Sequence, residues 1–152
     1  MIKAVFVALF GSALLAAAWS TSAEASDFCL QQTSKPELSF VLKNFKMPRR
    51  GKCAQFGGWC ANCVNDDMLT GNACTFSDGT EVRFGFQTSP MAIGPVFNYS
   101  ENWAFSLNTS SLTGTFVNRQ LIYAPGGASG TTLTGPANGG TCHPAIVPFP
   151  FH

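Results

Sequence analysis

The sequence predicts an all-β or β-rich α+β domain: a small antiparallel sandwich or barrel with one short N-terminal helix and a disulfide-stapled loop region. Three observations carry that expectation. Apolar residues alternate at period two over several short segments, as in Val82, Phe84 and Phe86 or Trp103, Phe105 and Leu107. Turn-forming residues separate those segments. Six cysteines and 14 phenylalanines supply covalent staples and apolar surface in a chain of 152 residues.

The first element is not part of the domain. Lys3 precedes an apolar run from Ala4 to Trp19, and Ala23-Glu24-Ala25 has the A-x-A form of a signal-peptidase site. The run is shorter than the roughly 20 apolar residues that span a bilayer. Residues 1–25 therefore read as a cleaved signal peptide, and residues 26–152 as a single domain. Localisation is expected to be secreted or periplasmic. No later segment is apolar and long enough to span a membrane. Formal net charge is +1 and only 11% of residues are charged, so a nucleic-acid partner is not expected.

Export decides how the cysteines are read. Cys29, Cys53, Cys60, Cys63, Cys74 and Cys142 form an even set in a small exported chain, which predicts disulfides. Six cysteines allow 15 pairings, and the sequence does not choose among them. Trp59-Cys60-x-x-Cys63 has the spacing of a redox dithiol, but Gly57-Gly58 precede it where a strand should stand. Asp66 and Asp67, just beyond, would also raise a thiol pKa instead of lowering it. A zinc site from Cys53, Cys60, Cys63 and Cys74 fits no standard spacing. No metal and no cofactor are expected.

Segment 34–46 has two periodicities. Leu38, Val41, Leu42 and Phe45 form a helical stripe, and Ser34, Glu37 and Pro36 suit a helix start. Leu38, Phe40 and Leu42 also alternate as in a strand. The helix is the favoured reading. "ACTFSDGTEVRFGFQT" reads as a hairpin turning at Asp78-Gly79. "PVFNYS" is a short strand candidate, and "NWAFSLN" and "LTGTFVNRQLIY" are strands turned by "NTSS". "TTLTG" is another short candidate. The Gly/Thr-rich stretch 125–141 reads as a long surface loop. "AIVPFPF" is confined by its prolines to an edge or tail.

Function is expected to be binding, towards a protein or glycan at or outside the cell envelope. Lys43, Lys46, Arg49, Arg50 and Lys52 lie within ten residues without an acid, the one marked charge asymmetry, and suit an anionic partner. Trp59, in a Gly-flanked loop, is expected to be an exposed ring at or near the contact. The alternative is a small hydrolase of ribonuclease type, with His143, Glu81 and Arg83 as acid, base and phosphate clamp. Glu81 and Arg83 share one side of a predicted strand, where a cross-strand ion pair on a solvent-facing side also explains them. A carboxylate pair of Asp66 or Asp67 with Glu81 or Glu101 is the remaining hydrolytic option. Asn98 and Asn108 head glycosylation sequons.

Overall fold

The computed structural model describes residues 27–61, 68–88, 91–92 and 98–142. The expected signal peptide, the tail strand in "AIVPFPF" and His143 lie outside these residues. Among the described residues there is no helix. Nine strands follow in order: β1 Phe28–Gln32, β2 Lys35–Leu42, β3 Cys53–Ala61, β4 Met68–Thr75, β5 Glu81–Thr88, β6 Met91–Ala92, β7 Asn98–Asn108, β8 Thr113–Ala124 and β9 Gly127–Thr141.

All pairings are antiparallel, and apart from β6 each strand lies beside its neighbours in sequence. Two long-range ladders close the ring. β5 pairs with β7 from Glu81↔Asn108 to Gln87↔Asn102. β1 pairs with β9 from Phe28↔Thr141 to Gln32↔Ala137. The result is an eight-stranded up-and-down barrel, with the two-residue β6 added to the edge of β7. Closure leaves few unpaired edges, which is the physical advantage of this architecture.

One phase of each strand fills the barrel. Leu30, Phe40, Leu42, Phe56, Leu69, Val82, Phe84, Phe86, Trp103, Phe105, Leu107 and Phe116 form a continuous buried cluster. Its rings meet both edge-on or tilted, as Phe40 does with Phe86 and Trp103 at 4.9 and 4.6 Å between centroids, and stacked, as Phe86 does with Phe105 at 6.0 Å. Small residues make room for them. A Cβ on Gly71 would stand 2.6 Å from Phe86 and 2.8 Å from Phe56, and one on Gly135 2.9 Å from Phe116.

The expected helix at 34–46 is instead the strand β2 and the start of a loop. The helical stripe has a simple cause. Phe40 and Leu42 face the interior, while Val41 faces out and is buried nonetheless, in a second cluster with Cys29, Trp59 and Ala61 on the outer wall. A strand buried on both faces loses its clean alternation, and tertiary pairing with β1 and β3 decides the conformation.

The predicted Gly/Thr-rich loop 125–141 is also a strand, β9, joined to β8 by a tight turn at Pro125-Gly126. It pairs with β8 along twelve positions, from Thr113↔Asn138 to Ala124↔Gly127. Gly135 and Gly139 face large partners: a Cβ on Gly139 would meet Leu107 at 2.7 Å and Phe28 at 2.8 Å. β1 pairs only with the last five residues of β9, so β8 and β9 run on beyond β1 as a ribbon.

Two disulfides are described. Cys53–Cys74 joins directly paired residues of β3 and β4, and Cys29–Cys142 joins the two ends of the domain beside the β1–β9 seam. Cys60 is disulfide-bonded as well. Among the described residues the stapled region is thus two adjacent strands, β3 and β4, with Cys53, Cys60 and Cys74 in regular sheet instead of a loop.

Candidate functional site

The meander places its loops alternately at two ends. One end carries residue 27, the connections 43–52, 76–80 and 109–112, and Cys142; the other carries the turns at 33–34 and 125–126.

Lys43, Lys46, Arg49, Arg50 and Lys52 are all exposed on the 43–52 connection at the first end. Ten residues without regular structure would ordinarily be mobile, yet this loop is pinned. The Gly51 amide donates to the carbonyls of Thr75 and Phe76, at 3.0 and 3.2 Å, and Lys52 donates to the Arg49 carbonyl at 3.0 Å. The Thr75 hydroxyl donates to the Pro48 carbonyl at 2.9 Å. The Cys53–Cys74 bridge closes the base of the loop. Arg50 lies over the neighbouring turn, where a Cβ on Gly79 would be 2.2 Å from its Nε; Gly79 also needs its positive φ of 74°. The Asp78 carboxyl of that turn sits below its usual range, held there first by the Thr80 amide and more weakly by Arg50. Met47 and Phe76 are exposed beside the cations.

Trp59 does not join this surface. Its ring is 6% exposed, packed on the outer wall against Cys29, Val41 and Ala61. It also lies near the far end of β3 from the basic loop, opposite Val41 and Met68. The Gly-flanked loop expected around it is regular strand. Gly58 permits close strand approach, since a Cβ there would stand 1.8 Å from the Val41 carbonyl oxygen.

The expected hydrolytic residues are not assembled among the described residues. Glu81 and Arg83 lie on the outward phase of β5 and bind each other, Nε to Oε1, at 2.6 Å. The Ser106 hydroxyl on β7 donates to the same carboxylate. That hydrogen bond, followed by the Arg83 contact, holds the Glu81 carboxyl below its ordinary value. Arg83 also stands 4.7 Å from the centroid of the Phe76 ring. The plain ion-pair reading describes this arrangement, although the two partners share one strand instead of facing across two. His143, Asp66 and Asp67 lie outside the described residues. Glu81 and Glu101, the expected partners of Asp66 or Asp67, face opposite sides of the wall.

Glu101 is the residue whose setting the sequence reading missed. It stands on the same phase of β7 as Trp103, Phe105 and Leu107, so it faces inward. Its Oε1 accepts hydrogen bonds from the Tyr99 hydroxyl, from Gln120 Nε2 at 2.9 Å and from Asn118 Nδ2 at 3.3 Å. Its Oε2 accepts one from Trp103 Nε1 at 2.9 Å. Asn118 and Gln120 come from β8, directly opposite Trp103 and Glu101. Burial, and then the bond to this carboxylate, pushes the Tyr99 phenol above its ordinary value, which keeps it a donor. The usable signal was a charged residue standing on the apolar phase of a strongly alternating segment.

Among the described residues, no three His, Cys, Asp or Glu side chains gather where one metal ion would be held. Cys53 and Cys74 are bonded to each other, so they are not zinc ligands. Cys60 is fully buried in a strand, not at a helix N-terminus, which removes the setting a redox dithiol needs. Compared with known proteins, the chain matches no family model, no curated protein and no solved structure.

Proposed function

We propose that this chain is a small exported, disulfide-stabilised, non-catalytic binding protein. It acts at or outside the cell envelope and contacts an anionic protein or glycan through the 43–52 loop. One observation carries the reading: five exposed cations stand on a connection that hydrogen bonds and a disulfide hold in one shape. A loop ordered before binding loses less entropy on binding than a mobile one. Its charge also draws an anionic partner from a distance. Trp59 has no part in the contact; its ring supports the outer wall. The hydrolase alternative draws no support from Glu81 and Arg83, whose charged groups already satisfy each other.

The test is retention on an immobilised sulfated polysaccharide. In one variant Lys43, Lys46, Arg49, Arg50 and Lys52 are all changed to Gln. All five are exposed, so this variant is expected to melt as the wild type does and to elute at much lower salt. Equal elution of the two folded proteins would remove the loop from the function.

A further inference from the structure

We propose that the inward face at the barrel's other end is a second binding site, for an organic cation. Its ligand is an ammonium or guanidinium group on an apolar stem, seated against Glu101 Oε2 and the Asn118 carbonyl oxygen. The hydrogen bonds are spread unevenly over the two carboxylate oxygens. The donors around Glu101 are one each from Tyr99 and Trp103 and one from each of the amides of Asn118 and Gln120, and all four point at the carboxylate. A carboxylate offers about four lone-pair positions. Among the described residues Oε1 accepts three bonds and Oε2 one, so a position on Oε2 remains.

Asn118 supplies the second, independent observation. It is 1% exposed, and its Oδ1 has no hydrogen-bond partner among the described residues. The orientation of the amide is set by Glu101: turning it over would bring Oδ1 against the carboxylate instead of Nδ2. A buried amide oxygen without a donor costs about 1–3 kcal/mol, and native folds carry few such groups. What this site lacks is therefore donors, not acceptors.

It also lacks positive charge. Among the described residues no Lys or Arg pairs with Glu101; the neighbouring Arg119 is exposed on the outward phase of β8, opposite Asn102. A half-buried carboxylate held only by neutral donors has no countercharge beside it in a setting less polar than water. An ammonium or guanidinium group supplies both missing properties. A hydroxyl supplies only the donor, and an anion supplies neither. The apolar stem is read from the ribbon. Leu133 sits directly across from Asn118 on β9, shares its inward phase and is 46% exposed; Ile122, further along the inward phase of β8, is 39% exposed. This site lies at the opposite end from the basic loop, so it stands or falls separately from the function proposed above.

The test titrates the folded protein with n-butylammonium, n-butylguanidinium, n-butanol and butyrate. The readout is the NMR signals of the Trp103 indole N–H and the Asn118 and Gln120 side-chain amides. Either cation should give saturable shifts, with butanol and butyrate weaker by about tenfold or more, as loss of one charged hydrogen bond implies. Glu101→Gln should weaken the cations by a similar factor and remove their advantage over butanol. Leu133→Ser leaves the polar network untouched and serves if Glu101→Gln does not fold; it should weaken the butyl probes more than methylammonium. Nα-acetyl-lysine N-methylamide separates the sources: saturable binding assigns the cation to a partner's side chain, whereas binding of the free amine alone assigns it to a small molecule. Absence of saturable shifts with both cations, or equal affinity for butanol, overturns the proposal and leaves a purely structural polar network. The five-fold loop variant should bind the cations as the wild type does.

Discussion

Removing the Cys29–Cys142 bridge should destabilise the barrel more than removing Cys53–Cys74. Both bridges are local in space, but they close very different lengths of chain: the paired cysteines are 113 residues apart in one and 21 in the other. In the chain-entropy description, a cross-link withdraws freedom from the unfolded ensemble in proportion to the logarithm of the loop it closes. That gives about 5 kcal/mol for the long loop and roughly 3 kcal/mol for the short one at 25 °C. For a domain of about 120 residues, with an unfolding entropy near 2 cal/mol/K per residue, the two losses correspond to melting-point drops of about 20 and 12 °C. The folded state itself changes little by comparison, because Cys53 and Cys74 stay paired in the β3–β4 ladder and Cys29 stays in β1. The assay is urea unfolding and calorimetry of two double variants, Cys29→Ala with Cys142→Ala and Cys53→Ala with Cys74→Ala. The cysteines outside each pair are left intact. If the Cys53/Cys74 variant proves equally or more destabilised, the loop-entropy argument fails here, and local strain or residual structure governs stability instead.

Two further perturbations test the packing and the electrostatics. Gly58→Ala should cost about 3 kcal/mol or more, because its Cβ would stand 1.8 Å from a backbone oxygen of β2 that no rotamer change can move. Gly85→Ala, on the exposed phase of β5 with nothing within 4 Å, should be neutral or stabilising by about 0.5 kcal/mol; paired denaturation midpoints decide both. The Glu81 carboxyl is lowered from 4.5 by Ser106 and Arg83, so its folded-state value lies below its unfolded one. Its stabilisation is therefore present above pH 4.5 and disappears as pH falls through the lowered value. Glu81→Gln should accordingly reduce stability at neutral pH and match the wild type in strong acid. A stability gap that persists unchanged at the acid end would contradict that assignment.

Much of the barrel wall was legible because its signals are local. The inward phase of β5 and that of β7 follow from the alternation of Val82, Phe84 and Phe86 and of Trp103, Phe105 and Leu107. The Asp78-Gly79 turn follows from turn chemistry. The two larger errors share a cause. At β2 the outer face is buried beneath the Trp59 cluster, so apolar residues fall on both phases and imitate a helix. At β9 the glycines that suggest a loop are spaces for Phe116, Leu107 and Phe28, which come from β8, β7 and β1.

The sequence by itself determined the strand-rich composition, the even set of cysteines and the one cluster of cations, because each is a property of residue type and short spacing. The tertiary structure alone decided the closure of the ring, the pairing of Cys29 with Cys142, the burial of Trp59 and the enclosure of Glu101 by Asn118 and Gln120. Those features depend on which strands become neighbours and in what register. A shift of one residue turns every side chain to the other face, and only the ladders that close the barrel fix that choice.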